Sequence, residues 1–310
     1  MKIIFLGTSE FSCNVLKKLK ESKHEVVAVI CGIDKPSGRG NKLTPPPAKV
    51  LAEQMGIPVY QFKKIRVDGV DTLKSIQADV MVTASYGQIL SQEIIDICKY
   101  KIINVHGSLL PKYRGASPIQ TALMNGEKKT GITIMQTDAG IDTGDMIDKC
   151  EVDIEDDDTY ETLTEKLSIA GGDLLVEVLE KLEKGQCSWE KQDDNLATHT
   201  RMIKKEHCVL DFNQTAQALV NMVRALNPNP VAKFFIGSDS FKVFKLKACQ
   251  WAGNEPNGAV VEASNKTGLV IKCKEGAVEV LDFQPPSSKR MMPKSYFNGK
   301  KIETGIIVNG

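Results

Sequence analysis

Asn104 and His106 stand two residues apart in INVHGSLLPKYRGASPIQ, a stretch that begins at Ile103. On an extended strand, residues at that interval point to one side, so both could address a single small group of a substrate. An amide N–H beside an imidazole is suited to holding negative charge as it develops on a carbonyl oxygen. The same two side chains would serve equally as satisfied polar partners at a strand end. A second polar cluster, TDAGIDTGD (137–145), places Asp138, Asp142 and Asp145 among the turn residues Gly140, Thr143 and Gly144. Three carboxylates could hold a hard cation, but their spacing lacks the every-second-residue rhythm of a calcium loop, and no metal is expected. One Asp orienting His106 is the better reading, because a nearby carboxylate favours the imidazolium and decides which ring nitrogen carries the proton.

Strands must bring these residues to one place. Short β-branched runs alternate with helical patterns through the first half of the chain, which reads as α/β: a Rossmann-like, doubly wound, mostly parallel sheet. Strands are expected at 3–7, 25–31, 58–61, 79–85, 101–106 and 130–137, with helices at 9–22, 48–56, 70–77 and 117–126. In open α/β sheets ligands bind at the carboxyl ends of strands, where Asn104 and His106 fall. A longer helix is expected over 158–185, with Asp158 and Glu161 spaced as a capping box. Its Leu163, Leu167, Ala170, Leu174, Val178 and Leu182 lie three or four apart and form a core face. Periodicity then lapses. The expected division is a catalytic domain at 1–187, a linker at 188–208 and a C-terminal domain at 209–310. In the last, one helix ended by Pro228 and Pro230 precedes short, evenly spaced strands of a small β-barrel.

Several chemistries lose their usual supports. FLGTSEFS carries one glycine where a dinucleotide fingerprint has three, and neither a Walker A sequence nor a G-x-S-x-G elbow is present. Eight cysteines are scattered without a CxxC pair, which argues against a zinc site or a disulfide scaffold and for packed, reduced thiols. No run approaches the ~18 apolar residues of a membrane span, and MKIIFLGTSEF reads as a first strand rather than a signal peptide. A cytoplasmic protein with no membrane contact and no obligate protein partner is expected. The formal charge of +1 hides an asymmetry: residues 201–310 hold 16 Lys+Arg against 9 Asp+Glu, a net of +7, which leaves −6 to residues 1–200. A basic C-terminal part fits contact with a polyanion, though a charged soluble surface has the same composition.

Asn104-Val-His106-Gly-Ser108-Leu109-Leu110-Pro111, with Asp142 thirty-six residues beyond His106, resembles the signature of the 10-formyltetrahydrofolate-dependent formyltransferases. The resemblance implies that Asn104, His106 and Asp142 form the catalytic set and that 10-formyltetrahydrofolate is the formyl donor. It also implies that Ser108, Leu109, Leu110 and Pro111 lie against the folate, and that the backbone of Tyr86, Gly87, Gln88, Ile89 and Leu90 helps to hold the pterin. Members of the family share that core and differ in their acceptor. The stretch DKPSGRGNKLTPPPAKVLAEQMGIPVYQ (34–61) is similar to an insertion of the members that formylate methionyl-tRNA. RALNPNPVAKFF (224–235) and GAVEVLDFQPPSSKRMMPKSYFNG (276–299) are similar to the oligonucleotide-binding-fold-like (OB-fold-like) domain of those members. By that likeness initiator methionyl-tRNA is the expected acceptor, with an amino sugar nucleotide as the alternative. Arg39 and Lys42 in the loop, and Lys204, Lys205, Lys245 and Lys247 further on, are expected to meet the tRNA, and Phe11 the methionyl end.

Overall fold

Residues 3–6 are apolar at every position, the composition of a strand covered on both faces. In the computed structural model, which describes residues 1–37 and 42–309, all four are fully buried within β1 (Lys2–Gly7). The chain forms two compact units. One comprises Met1–Pro118, Lys129–Asp153 and Thr164–Arg201; the other comprises Ile119–Lys128, Ile154–Leu163 and Met202–Gly310.

The further strands of the first unit are β2 (Glu25–Cys31), β3 (Lys35–Ser37), β4 (Lys42–Thr44), β5 (Val59–Gln61), β6 (Val80–Ala84), β7 (Ile102–His106), β8 (Arg114–Gly115), β9 (Lys129–Gln136), β10 (Met146–Asp153) and β11 (His199–Thr200). Seven strands make one sheet in the order β10-β9-β7-β6-β1-β2-β5. It is parallel from β7 to β5 and antiparallel where β9 meets β7 and β10. The order runs away from β1 in both directions, so a crevice opens at the carboxyl ends of β1 and β6, the switch point where such sheets take ligands. Thr8 ties these ends together: its hydroxyl donates to the Tyr86 carbonyl (3.1 Å) and accepts from the Gly32 amide.

Two expectations change on contact with this fold. The sheet has a strand that the apolar pattern did not mark, β10, because Lys149, Glu151 and Asp153 alternate along its exposed face; charge on an edge strand hides it while protecting the edge. The long helix, Tyr160–Glu183, is capped not by Asp158 and Glu161 but by Thr159 and Thr162, which exchange hydroxyl and amide bonds across 3.0 and 3.3 Å. Asp158 is buried and holds the preceding turn through the Glu155 amide and the Thr162 hydroxyl.

The second unit's strands are β12 (Ala232–Ile236), β13 (Asp239–Cys249), β14 (Val260–Ser264), β15 (Gly268–Lys272) and β16 (Ala277–Gln284). They form an antiparallel sheet in the order β12-β13-β16-β15-β14. Phe234 stacks on Phe241 at 5.1 Å, and Phe241 on Phe283 at 6.1 Å. The helix Ala216–Ala225, capped by the Thr215 hydroxyl, adds Leu219 and Val223 to this core. The sheet is a half-barrel whose edges are joined without a regular ladder. Near the chain end, Gly305 and Val308 donate to Val260 and Gly258 on the β14 side, while Asn309 bonds Phe235 of β12. All eight cysteines are unpaired, and burial pushes the Cys13, Cys31 and Cys98 thiols up to about 11 and Cys273 to about 12. Among the described residues no helix is long and apolar enough to cross a membrane.

Candidate active site

β7 lies between β6 and β9, and its carboxyl end is flanked by the end of β6 on one side and by the middle of the antiparallel β9 on the other, where His106 pairs with Thr133. Asn104 is half-buried there, and the Thr83 hydroxyl of β6 donates to its Oδ1 at 2.9 Å. With the amide oxygen so occupied, Nδ2 is the end turned to other acceptors.

His106, 6% exposed, has a polar neighbour at each ring nitrogen. Nε2 meets the carbonyl of Tyr113 at 3.1 Å. A carbonyl only accepts, so Nε2 carries a proton and Nδ1 is the nitrogen left for chemistry. Nδ1 faces Asp142 Oδ2 at 3.6 Å, beyond a direct hydrogen bond but close enough for a proton-bearing group to bridge them. Asp142 Oδ2 is itself anchored, accepting from the Gly115 amide at 2.8 Å. Gly115 adopts φ +110, and a Cβ there would lie 2.5 Å from the Thr200 carbonyl, so glycine alone fits this approach. Asp142 sits at φ +54, an uncommon conformation for a residue with a side chain and one its surroundings must hold.

The other residues singled out by sequence fall in several places. Ser108 is fully buried, its hydroxyl donating to the Lys112 carbonyl. Leu110 packs with Met135 and Met146, and its amide donates to Thr133; Leu109 and Pro111 are half-buried beside it. After β6, Gly87 takes φ +81, and the Gln88 side chain donates to the Phe62 carbonyl and accepts from the Ile65 amide. Tyr86 is buried, which pushes its phenol well above its ordinary value. Leu90 is half-buried, whereas Ile89 is 72% exposed, as is Ile141 beside Asp142 at 71%. Phe11 is 6% exposed in the first turn of the helix Glu10–Glu21 and counts among the core residues.

Lys42 is exposed on β4, which pairs with β3 in a hairpin; Arg39 lies outside the described residues. In the second unit Lys204 and Lys205 are exposed near a short 3-10 turn, and Lys245 and Lys247 are exposed on β13. Among the described residues no group of three or more His, Cys, Asp or Glu could hold a metal ion.

Sequence reasoning missed Arg114, Gln192, Thr198 and Thr200. The last three lie where periodicity had lapsed, yet β11 pairs with β8, the Tyr113 amide donates to the Thr198 hydroxyl, and the Ser117 amide to the Thr200 hydroxyl. Gln192 Nε2 donates to the carbonyls of both Asp142 and Gly144. Isolated side chains do this packing, and they leave no periodic signal.

Known proteins resemble the chain over its whole length. Residues 1–179 match the Formyl transferase family, and 202–301 match the Formyl transferase C-terminal domain. The methionyl-tRNA formyltransferase of Bacillus subtilis is 41% identical over 308 residues, covering 99% of this chain and 97% of the relative. That of Geotalea uraniireducens is 40% identical over 309 residues, covering 99% and 98%. Among solved structures, a methionyl-tRNA formyltransferase from Clostridium thermocellum aligns with a TM-score of 0.57 at 20% identity, over 80% of this chain and 93% of that one. The sugar 3N-formyl transferase WlaRD, solved with dTDP and 5-N-formyl-THF, aligns at 0.66 and 22% identity over 93% and 99%. At such identity these two structures speak for the fold alone.

Proposed function

The chain belongs to the methionyl-tRNA formyltransferases of the Formyl transferase family, and from that premise we propose a reaction in residue-level terms: the formyl group of 10-formyltetrahydrofolate passes to the α-amine of methionyl initiator tRNA. The observation that carries the choice of acceptor is identity of about 40% to methionyl-tRNA formyltransferases across both matched stretches. The sugar N-formyltransferases share the fold at about half that identity.

The amine attacks the formyl carbon, a tetrahedral adduct forms, and the folate nitrogen leaves with the electron pair of the broken C–N bond. Asn104 Nδ2, turned outward by Thr83, donates to the developing oxyanion. His106 has its Nε2–H committed to Tyr113 and donates from Nδ1 in its doubly protonated form. Asp142, held by Gly115, accepts the proton that the attacking amine gives up and returns it to the leaving nitrogen, directly or through a water. Hydrogen-bond donors aimed at the oxyanion stabilise the transition state more than the ground state. No covalent intermediate on the enzyme is needed. We assign this chemistry to residues 1–187, and tRNA capture to Arg39, to Lys42 on β4 and to the basic residues of the C-terminal unit. The folate lies along Ser108, Leu109, Leu110 and Pro111 and the turn from Tyr86 to Leu90.

The test offers the purified protein 10-formyltetrahydrofolate with initiator methionyl-tRNA, elongator methionyl-tRNA and an amino sugar nucleotide, and follows which acquires formate. Preferential formylation of the initiator species is expected. Transfer to the sugar nucleotide with none to tRNA would replace this reading by its alternative.

A further inference from the structure

Asp142 has a demanding task for a residue on such a loop. Residues 138–141 are exposed, the flanking strands β9 and β10 lose register at Met146 and Asp148, and Asp142 itself is at φ +54. A group that moves a proton must be held within about half an ångström of its working position, and the Gly115 amide, at 2.8 Å, holds only one of its carboxylate oxygens.

We propose that Gln192, oriented by Arg114, is a positioning residue that braces the Asp142 loop for formyl transfer. Gln192 Nε2 has two hydrogens and gives one to the Asp142 carbonyl at 2.9 Å and one to the Gly144 carbonyl at 2.8 Å. Its Oε1 accepts from Arg114 Nε at 3.0 Å, so the amide cannot turn over without facing oxygen to oxygen and nitrogen to guanidinium. Arg114 is 3% exposed, and its remaining charge is met by Asp194 at 2.7 Å. A guanidinium so buried keeps its partners, because losing one leaves a charge without compensation.

The contacts close a ring. Tyr113, Arg114 and Gly115 are consecutive: the first holds His106 by its carbonyl, the third holds the Asp142 carboxylate by its amide, and the middle one reaches Asp142 again from behind through Gln192. His106 and both ends of the Asp142 residue are thereby referred to one tripeptide. That tripeptide is itself paired to residues 198–200, through the bonds from the Arg114 amide to the Thr198 carbonyl and from Thr200 to the Arg114 carbonyl. Gln192 lies between the stretches that match the two family domains, 1–179 and 202–301, so neither match draws attention to it.

The inference rests on the role given above to Asp142, and its test separates the two. Gln192→Glu keeps an oxygen facing Arg114 and makes that contact an ion pair, while it turns a second oxygen toward two carbonyls that need donors. Gln192→Met removes the donors without adding charge. Amide hydrogen exchange at Gly115 reports directly on the Asp142 carboxylate, and in both variants it should quicken about tenfold or more, with the Arg114 amide unchanged. Turnover of formyl transfer should fall about ten- to a hundredfold, the scale of a misplacement near 1 Å, with KM for tRNA and folate each within about twofold of the parent value. Unchanged Gly115 protection in a folded variant overturns the brace whatever the activity. Faster exchange with unchanged turnover overturns its role in catalysis. Should the parent chain fail to formylate methionyl-tRNA, the reading of Asp142 falls, and the Gly115 exchange still decides whether Gln192 holds the loop.

Discussion

Each side chain to which we assign a part in formyl transfer is oriented by a partner that does no chemistry of its own. Thr83 fixes which end of the Asn104 amide faces outward, and the Tyr113 carbonyl fixes which nitrogen of His106 is available. Such partners are graded in importance by what they leave behind. Asn104→Ala removes the proposed oxyanion donor, and turnover should fall by about a hundredfold or more. Thr83→Val removes only the bond that holds the donor, of order 1 kcal/mol, so turnover should fall about fivefold. Steady-state kinetics with tRNA varied at saturating folate, and the reverse, checks both; a Thr83→Val enzyme as slow as Asn104→Ala would mean that the hydroxyl touches substrate itself.

At the scale of elements, the hairpin of β3 and β4 is held at its root by a polar cluster. Lys49, on the helix Pro47–Gln54, meets both oxygens of Asp34 at 3.0 and 3.1 Å and the Gln61 amide oxygen at 2.9 Å. Gln61 Nε2 donates back to Asp34 and to the Gly32 carbonyl. Asp34 directly precedes β3, so this cluster sets where the hairpin leaves the sheet. Gln61 first, and Lys49 with it, hold the Asp34 carboxyl below its ordinary value, and Asp34 holds Lys49 above its own. A depressed acid stabilises the fold above its unfolded pKa and loses that contribution as pH falls through the folded value. A raised base stabilises below its unfolded pKa and loses that contribution as pH rises through the folded value. The contribution should therefore be level between about pH 4 and pH 10, the ordinary values of the two groups, and decline outside that window. Thermal unfolding of Lys49→Met against the parent checks this: the difference should be small, as befits a partly solvated pair, constant from pH 5 to 9 and smaller in acid. A difference that grows below pH 4 would refute it.

At the scale of the molecule, the charge asymmetry makes a prediction about the acceptor. If the basic residues of the second unit meet phosphates, binding of tRNA releases counterions and weakens steeply with salt. Replacing Lys204, Lys205, Lys245 and Lys247 by Gln, one at a time, should lower the slope of log affinity against log salt by about one for each lysine that touches a phosphate, with folate affinity unchanged. A slope unaffected by all four would place the tRNA elsewhere on the protein.

The sequence by itself was enough for whatever depends on local pattern. Buried parallel strands are apolar at every position, so β1, β2 and β6 were legible in their runs. Asn104 and His106 were legible because a strand's period of two sets them on one side, and the resemblance supplied Asp142 as their partner. Tertiary structure alone decided what depends on single contacts between distant residues. Gln192 reaches Asp142 across fifty positions, β10 is charged along its exposed edge, and the half-barrel is joined by bonds from irregular residues 305–309. Periodicity reports only a continuous face turned toward a core. A brace made by one amide, or a pair of strand edges joined by backbone bonds, has no such face, and it exists only once the sheet has brought its partners together.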